Sequence, residues 1–325
     1  MSKIILVTGA AGFIGGETML RLKDAGHSVV GVDTVALPAH LGAVSDRFYQ
    51  EDFSKSWGLQ LLDEFEPQAI IHCAGSSLVG PSLARPADYY NNNFVKTKIL
   101  LDRIRDRRLN TRVIFSSSAA CYGEPVITPC QEEDPCEPIS PYGQSKLMIE
   151  WMLRSYRRAS GLDFIAFRYF NACGADSQAR HGQASGATHI IARVLESLRD
   201  DREFTLNGVD YATADGTCVR DYVHVSDVAR VHIDAANYLL SEKRSHVLNL
   251  GTGTGYSVLE VIDAIEKHTN QKVFKQYHQR RAGDPPKLVS NIDLAKKILN
   301  YDPKHDISSI VKTAYNWERN GRKDS

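Results

Sequence analysis

The chain has 325 residues, 42% of them hydrophobic, enough for one large or two modest domains with a true core. Lys+Arg and Asp+Glu both number 39, so net charge is zero and no basic field marks a nucleic-acid partner. No apolar run approaches the ~18 residues of a membrane span, so no membrane partner is expected.

Residues 4–7 form a short apolar run ending in a glycine turn. With no small-residue cleavage pattern, it reads as a first strand and not a leader. Gly9-Ala10-Ala11-Gly12-Phe13-Ile14-Gly15 follows, then a helical pattern through Leu20 and Leu22 to Ala25. Gly26 stops that helix, and residues 28–32 are the next strand, ending at Asp33. This is a βαβ unit with glycines at its first turn. Glycines let backbone approach a pyrophosphate, and the helix start offers N–H donors and a positive dipole end. Asp33, 24 residues after Gly9, stands where an acid for a ribose hydroxyl belongs. It would repel a 2′-phosphate, and no Arg adjoins it, so NAD is expected over NADP.

Residues 48–50 lead to Asp52 and Phe53, placed for an adenine. Residues 69–72 end in Cys73-Ala74-Gly75-Ser76-Ser77, a second small-residue turn at the sheet's C-terminal edge. His72 reads as a core histidine. Pro86 starts a long helix through Tyr90, Asn93, Leu100 and Ile104. Asn93 is either a surface residue or a bond to the loop after the central strand. Residues 112–115 and 164–167 are further buried strands. Strands alternating with helices predict a parallel sheet covered on both faces, with ligands at the strands' C-terminal ends.

The strand at 112–115 runs into Ser116-Ser117-Ser118-Ala119-Ala120-Cys121. After a polar loop come Pro141-Tyr142-Gly143-Gln144-Ser145-Lys146 and apolar residues at helical spacing, Leu147, Ile149, Met152 and Leu153. Tyr142 and Lys146 therefore share one helix face. Among the 14 tyrosines only Tyr142 has a Lys four residues on. A phenol with pKa near ~10 is a poor base at neutral pH. A nearby ammonium is expected to lower that value, and a serine hydroxyl can bond the same substrate oxygen. Together they could take a proton from a sugar or alcohol hydroxyl. The plain alternative is an ordinary helix with a chance Tyr-x-x-x-Lys.

After Arg168-Tyr169-Phe170-Asn171 the character changes. Residues 174–188 read as a loop, 190–198 as a helix, and 205–215 as polar and turn-rich. Residues 220–225 read as a strand and 226–240 as a helix. His246–Leu250 reads as a strand ending in Gly251-Thr252-Gly253. Ser257-x-x-Glu260 is a capping box for the next helix, and Ile307, Ile310, Val311, Ala314 and Trp317 mark an amphipathic tail helix. The expected fold is α/β, a Rossmann-type doubly wound parallel sheet with a smaller mixed α/β C-terminal substrate lobe. The six cysteines (73, 121, 130, 136, 173, 218) lack CxxC pairs. They read as reduced thiols of a cytoplasmic enzyme without a metal site.

Some blocks are more specific. Phe115-Ser-Ser-Ser-Ala, Pro141-Tyr-Gly-Gln-Ser-Lys-Leu-Met, Arg168-Tyr-Phe-Asn171, Asp215-Gly-Thr-Cys-Val-Arg-Asp-Tyr-Val-His-Val225 and Arg280-Arg-Ala-Gly-Asp284 stand out. With the glycine turn, they resemble the UDP-glucose 4-epimerase family of the extended short-chain dehydrogenase/reductase superfamily, over nearly the whole chain. The resemblance implies an isomerase that epimerises UDP-hexoses at C4 through a transient 4-keto sugar, with NAD as a tightly held cofactor. Tyr142 would be the base, Lys146 would bind the nicotinamide ribose, and Ser118 would bond the sugar's 4-oxygen. Gly9, Gly12, Phe13, Ile14, Gly15, Asp33, Asp52, Phe53, Cys73, Ala74, Gly75, Asn93, Ser116, Tyr142, Lys146 and Tyr169 would surround the cofactor. Asn171, Arg220 and Arg281 would hold UDP, with His189, Ile190 and Tyr222 beside the nucleotide. Asp284 would bond the uridine ribose, and Leu288 would gate the sugar pocket. Two arginines from separate segments suit a diphosphate. Residues 1–171 plus 218–250 would carry NAD, and 172–217 plus 251–325 the UDP-sugar. The family's habit implies a homodimer, through the helix from Pro86 and the helix from Tyr142.

There are departures. Ser77 replaces a frequent Lys, Ala120 a frequent Thr, and His189 a common Asn. A 4,6-dehydratase would need acids where Ala119 and Ala120 stand. A UDP-glucuronate decarboxylase likewise usually carries an acid there. UDP-pentose or UDP-glucuronate 4-epimerisation, and a non-catalytic NAD sensor, are the remaining alternatives.

Overall fold

Buried β-branched runs alternating with amphipathic helices set the architecture of the chain's first half. Its strands are β1 (Ile4–Thr8), β2 (Ser28–Asp33), β3 (Arg47–Gln50), β4 (Ala69–His72), β5 (Arg112–Ser118) and β6 (Phe164–Tyr169). They pair in parallel in the order β3-β2-β1-β4-β5-β6. The strand His246–Leu250 lies beyond β6. The structure, a computed structural model, describes residues 3–42, 44–186, 188–280 and 284–321. The doubly wound parallel sheet expected from the sequence is present, and its strand order reverses between β1 and β4. Ligands of such sheets bind at that switch point, at the strands' C-terminal ends. Because helices cover both faces, the central strands are buried and largely apolar. Leu6, Ile70, Val113 and Phe115 pack with Leu100, Leu101, Ile149 and Leu153 from the helices.

Three elements differ from their expected form. β5 and β6 run on to Ser118 and Tyr169, because the serines exchange ladder bonds: Ser116 pairs with Phe167, Ser117 with Arg168 and Ser118 with Tyr169. The helix from Pro86 is not uniform. Pro86–Tyr89 and Lys96–Asp106 are α-helical, but Tyr90–Val95 between them is a π turn carrying Asn93. Such turns are rare and concentrate at functional sites.

The chain forms two compact units. The first comprises Met1–Gly123, Cys136–Tyr169 and Ala229–Leu248, and the second Glu124–Pro135, Phe170–Val228 and Asn249–Ser325. The second has its own core of Val194, Leu195, Phe204, Leu206, Ile262 and Val311. Its strand Val219–His224 pairs with Gly255–Ser257, Lys287–Leu288 and Asn171–Cys173. Residues expected to be wholly turn-rich begin as a strand, Phe204–Asn207, parallel to Lys275–His278. Its buried Phe204 and Leu206 alternate with polar residues, but its partner is too distant in sequence to be read. The capping box at Ser257 is formed as expected. Among the described residues no helix is long and apolar enough to cross a membrane.

Candidate active site

The glycine turn is shaped by close approach. Gly9 sits at φ +70, and a Cβ there would lie 2.6 Å from the Ala74 nitrogen. A Cβ at Gly15 would run into the Gly9 carbonyl oxygen. The helix Phe13–Asp24 starts at Gly12 with no side-chain cap, so its first N–H groups remain available to an anion. Asp33, at the end of β2, accepts the Ala11 N–H at 3.0 Å through Oδ2. A carboxylate has further lone pairs for ribose hydroxyls. Cradle, uncapped helix start and acid together fit a dinucleotide.

Asp52 accepts Ser54 Oγ at 2.7 Å and pairs with Lys96 at 2.8 Å. Burial pushes its pKa up, but the Lys96 and Ser54 bonds outweigh this and hold it below the usual carboxylate range. Phe53 is buried, its ring edge-on to His72 at 5.0 Å. His72 bonds Thr8 at 2.7 Å and Thr97 at 2.8 Å, and burial pushes its pKa down to about 3. It is a neutral core histidine, as expected.

Cys73, Ala74 and Gly75 form the turn after β4. Ala74 N–H donates to Thr8 Oγ1 at 3.3 Å. Asn93 holds this turn: its Oδ1 accepts the Ser76 N–H at 2.7 Å, and its Nδ2 donates to the Ser76 carbonyl and to Ser145 Oγ. With 1% exposure, it binds the turn to the helix that bears Tyr142.

That helix, Pro141–Ser160, begins cleanly: Ser140 Oγ accepts the Gly143 N–H at 3.2 Å, and Pro141 occupies the first turn. A Cβ at Gly143 would strike the Ala120 carbonyl, so the glycine lets the turn after Ser118 lie against the helix start. Ser118 caps that turn, Ala119–Cys121, by accepting the Ala120 N–H at 3.2 Å. Its hydroxyl also faces the Tyr142 phenol, closely enough to pull the phenol's pKa down. Lys146 is buried, donates to the Ser116 carbonyl at 2.7 Å, and lies 5.9 Å from the Tyr142 ring centre. The expectation that Lys146 lowers the phenol's pKa is corrected. Burial dominates and pushes Tyr142 up to about 12, opposed by the Ser118 bond. Burial also pushes Lys146 down to about 8.

Side chains alternate in direction along the strands. Ser116 and Tyr169 turn to one side, their hydroxyls 3.0 Å apart, and Tyr169 also bonds His232. Ser117 and Arg168 turn to the other, where both bond Glu150 of the helix Pro141–Ser160. Neither His232 nor Glu150 was singled out by the sequence: a histidine between Val231 and Ile233, or a helix glutamate, carries no signal without its partners.

In the second unit, Asn171 lies opposite Tyr222 in register. Tyr222, expected at the nucleotide, instead packs in the apolar core at 2% exposure. Arg220 lies beside Leu288 in the ladder and pairs with Asp284, its Nη2 also reaching the Pro285 carbonyl at 2.7 Å. Asp221, which the sequence did not single out, anchors this strand by accepting from Thr252 N at 2.7 Å and Ser290 Oγ at 2.5 Å. His189 is the exposed, uncapping residue before the helix Ile190–Arg199. Arg281 lies outside the described residues.

Comparison with known proteins agrees with this geometry. Residues 5–251 match the model of the NAD dependent epimerase/dehydratase family. The UDP-glucose 4-epimerase of Halalkalibacterium halodurans is 41% identical over 323 residues, covering 97% of this chain and 95% of that protein. The crystal structure of UDP-glucose 4-epimerase from Brucella ovis in complex with NAD has a TM-score of 0.92 at 38% identity, covering 98% of this chain and 99% of that one. The Stenotrophomonas maltophila UDP-glucose-4-epimerase, with bound NAD and formylated UDP-arabinopyranose, has a TM-score of 0.91 at 33% identity, covering 98% of each chain. In sequence, strand order and glycine cradle alike, the chain belongs to the NAD dependent epimerase/dehydratase family.

Proposed function

We infer that this chain is an isomerase that epimerises UDP-hexoses at C4, interconverting UDP-glucose and UDP-galactose with NAD. The observation that carries the reading is the Ser118 hydroxyl and the Tyr142 phenol brought together at the end of β5, on a sheet whose first turn fits a dinucleotide. Both oxygens can address one sugar hydroxyl. Tyr142 takes the proton from the 4-hydroxyl and later returns it, while Ser118 holds the 4-oxygen. Lys146 bonds a ribose hydroxyl of the cofactor. The glycine turn and Asp33 hold NAD, which supplies the hydride chemistry when bound. Asn171, Arg220 and Arg281 hold the UDP, as two cationic forks suit a diphosphate. On this reading the first unit carries NAD and the second the UDP-sugar.

The turn after Ser118 favours epimerisation over dehydration, because Ala119 and Ala120 offer only methyl groups where an acid pair would be needed. The test is a coupled assay of UDP-galactose with no added NAD. Formation of UDP-glucose is expected. Tight UDP-sugar binding without turnover would instead mark an NAD sensor.

The sugar's size is set, on this reading, by Leu288. It stands beside Arg220 in register, which supports a place along the pocket. Leucine leaves room for an acetamido group at C2 that a Tyr would fill. Leu288→Tyr is expected to lower the ratio of kcat/KM for UDP-N-acetylgalactosamine to that for UDP-galactose. Overpacking costs ~1–3 kcal/mol, or roughly 5- to 150-fold. An unchanged ratio shows that Leu288 is not the gate.

The chain is expected to work as a homodimer through the helical path from Pro86 and the helix Pro141–Ser160. Exposed Val95 and Trp151 on these segments support such an isologous contact. Light scattering at micromolar concentration should give twice the chain mass of 36.2 kDa, and a monomer mass contradicts the pairing.

A further inference from the structure

A buried line of side chains ties the glycine-turn helix to the end of β6. Thr18, on the helix Phe13–Asp24, is fully buried, and its hydroxyl donates to the Ile14 carbonyl at 2.7 Å. The same oxygen lies 3.0 Å from His232 Nδ1. His232 Nε2 bonds the Tyr169 hydroxyl, and that hydroxyl lies 3.0 Å from Ser116 Oγ. Ser116 Oγ in turn reaches Cys73 Sγ at 3.3 Å, and its carbonyl accepts Lys146.

The protons along this line can be assigned. Burial pushes the His232 pKa down to about 3, so the ring is neutral, with one N–H. Thr18 has spent its only proton on Ile14, so toward His232 it can only accept. Nδ1 therefore carries the ring proton, Nε2 is bare, and Tyr169 must donate to it. The Tyr169 oxygen, its own proton committed, is left as an acceptor for the Ser116 hydroxyl, whose proton is shared between Tyr169 at 3.0 Å and Cys73 Sγ at 3.3 Å. Burial pushes the Tyr169 phenol well above its ordinary value, which keeps that proton in place.

We propose that His232 is a positioning residue for the epimerase reaction: it fixes the Tyr169 hydroxyl as a donor turned away from the reacting sugar, and so leaves Tyr142 as the one phenol able to exchange a proton with it. Tyr169 stands opposite Ser118 in the ladder, which places it beside the reacting groups. A freely rotating second phenol would compete for the 4-oxygen or disturb the nicotinamide side of the site. The directed line also gives cooperative strength, because each bond polarises the next. Its anchor on the glycine-turn helix ties the ring's position to the segment that holds the cofactor.

The inference rests on the epimerase reading for its kinetics but not for its geometry, and the test separates the two. Histidine side-chain 1H–15N spectra of the whole protein, with His232 assigned by its loss in His232→Gln, should show a neutral ring protonated at Nδ1. A ring protonated at Nε2, or at both nitrogens, overturns the proposal whatever the activity. In kinetics, His232→Leu is expected to lower kcat roughly 10- to 100-fold, as a small misplacement near the chemistry can, with KM for UDP-galactose little changed. His232→Gln reaches the Nε2 position with an amide oxygen and should recover most of the loss. The double variant His232→Leu/Tyr169→Phe should be no slower than the worse single variant, because His232 acts through Tyr169. Multiplied losses mean a purely structural histidine and overturn the proposal. If the parent protein fails to turn over UDP-galactose, the epimerase reading fails, and the tautomer still decides the geometry.

Discussion

Tyr142→Phe is expected to lower kcat by roughly 10²-fold or more, the loss typical of deleting a general base, with folding and NAD retention intact. The ring is half-buried and meets Tyr89 edge-on at 6.4 Å, and phenylalanine preserves that packing. Only the hydroxyl, which faces Ser118, is lost. A second signature should appear in the pH profile. In the ligand-free chain, burial pushes the phenol up to about 12, so at neutral pH it holds its proton. The base form must be favoured in the loaded enzyme. The Ser118 bond pulls in that direction, and positive charge from Lys146 and from a bound nicotinamide ring would add to it. Since the active form is deprotonated, kcat/KM of the parent should rise with pH below the apparent pKa, approaching tenfold per unit. The residual activity of Tyr142→Phe should lack that rise. Near-parental kcat, or an identical acid limb, removes Tyr142 from the role of base.

What the sequence disclosed, and what it did not, follows from the range of the interactions involved. The βαβ start was legible because its signals are local: an apolar run, glycines at fixed offsets, a helix, an acid. The catalytic helix was legible for the same reason, with Ser140 and Pro141 at its start and Tyr142 and Lys146 one turn apart. The lengths of β5 and β6 were not, because three serines and an arginine do not read as strand until each is opposite its partner. The short strands of the second unit exist only through pairing across long sequence gaps, as Phe204–Asn207 with Lys275–His278 shows. The direction of the Tyr142 shift was missed for a related reason. Sequence shows that a lysine is near, but not that the lysine is buried beside a half-buried phenol and that the ammonium is spent on the Ser116 carbonyl.

Replacing Glu150 by Leu is expected to destabilise the chain by about 3–5 kcal/mol, the cost of stranding one charge of a buried pair. Glu150 is fully buried on the catalytic helix and Arg168 nearly so on β6. Their contact is forked, with Arg168 Nη2 at 2.8 Å from one carboxylate oxygen and Nε at 3.1 Å from the other. Ser117 Oγ adds a donor at 2.5 Å, and the guanidinium lies 4.8 Å over the Tyr122 ring. Burial opposes the Arg168 charge, but the Glu150 bonds outweigh this and keep the guanidinium firmly protonated. Glu150→Leu would leave that cation without its counter-charge, so urea unfolding should shift to a much lower midpoint. The pair, with Ser117, also aligns the helix with the strands one residue before Ser118 and Tyr169, so kcat should fall in whatever fraction stays folded. The double variant Glu150→Leu/Arg168→Met discriminates the cause. Removing both charges replaces an ion pair by apolar packing, which is often neutral or stabilising, so most of the lost stability should return. If the double variant is as unstable as Glu150→Leu alone, the cost is one of packing shape and not of an uncompensated charge. The two variants thus separate the faces of one strand pair: Glu150 and Arg168 hold the catalytic helix from one side, while Tyr169 and His232 act from the other.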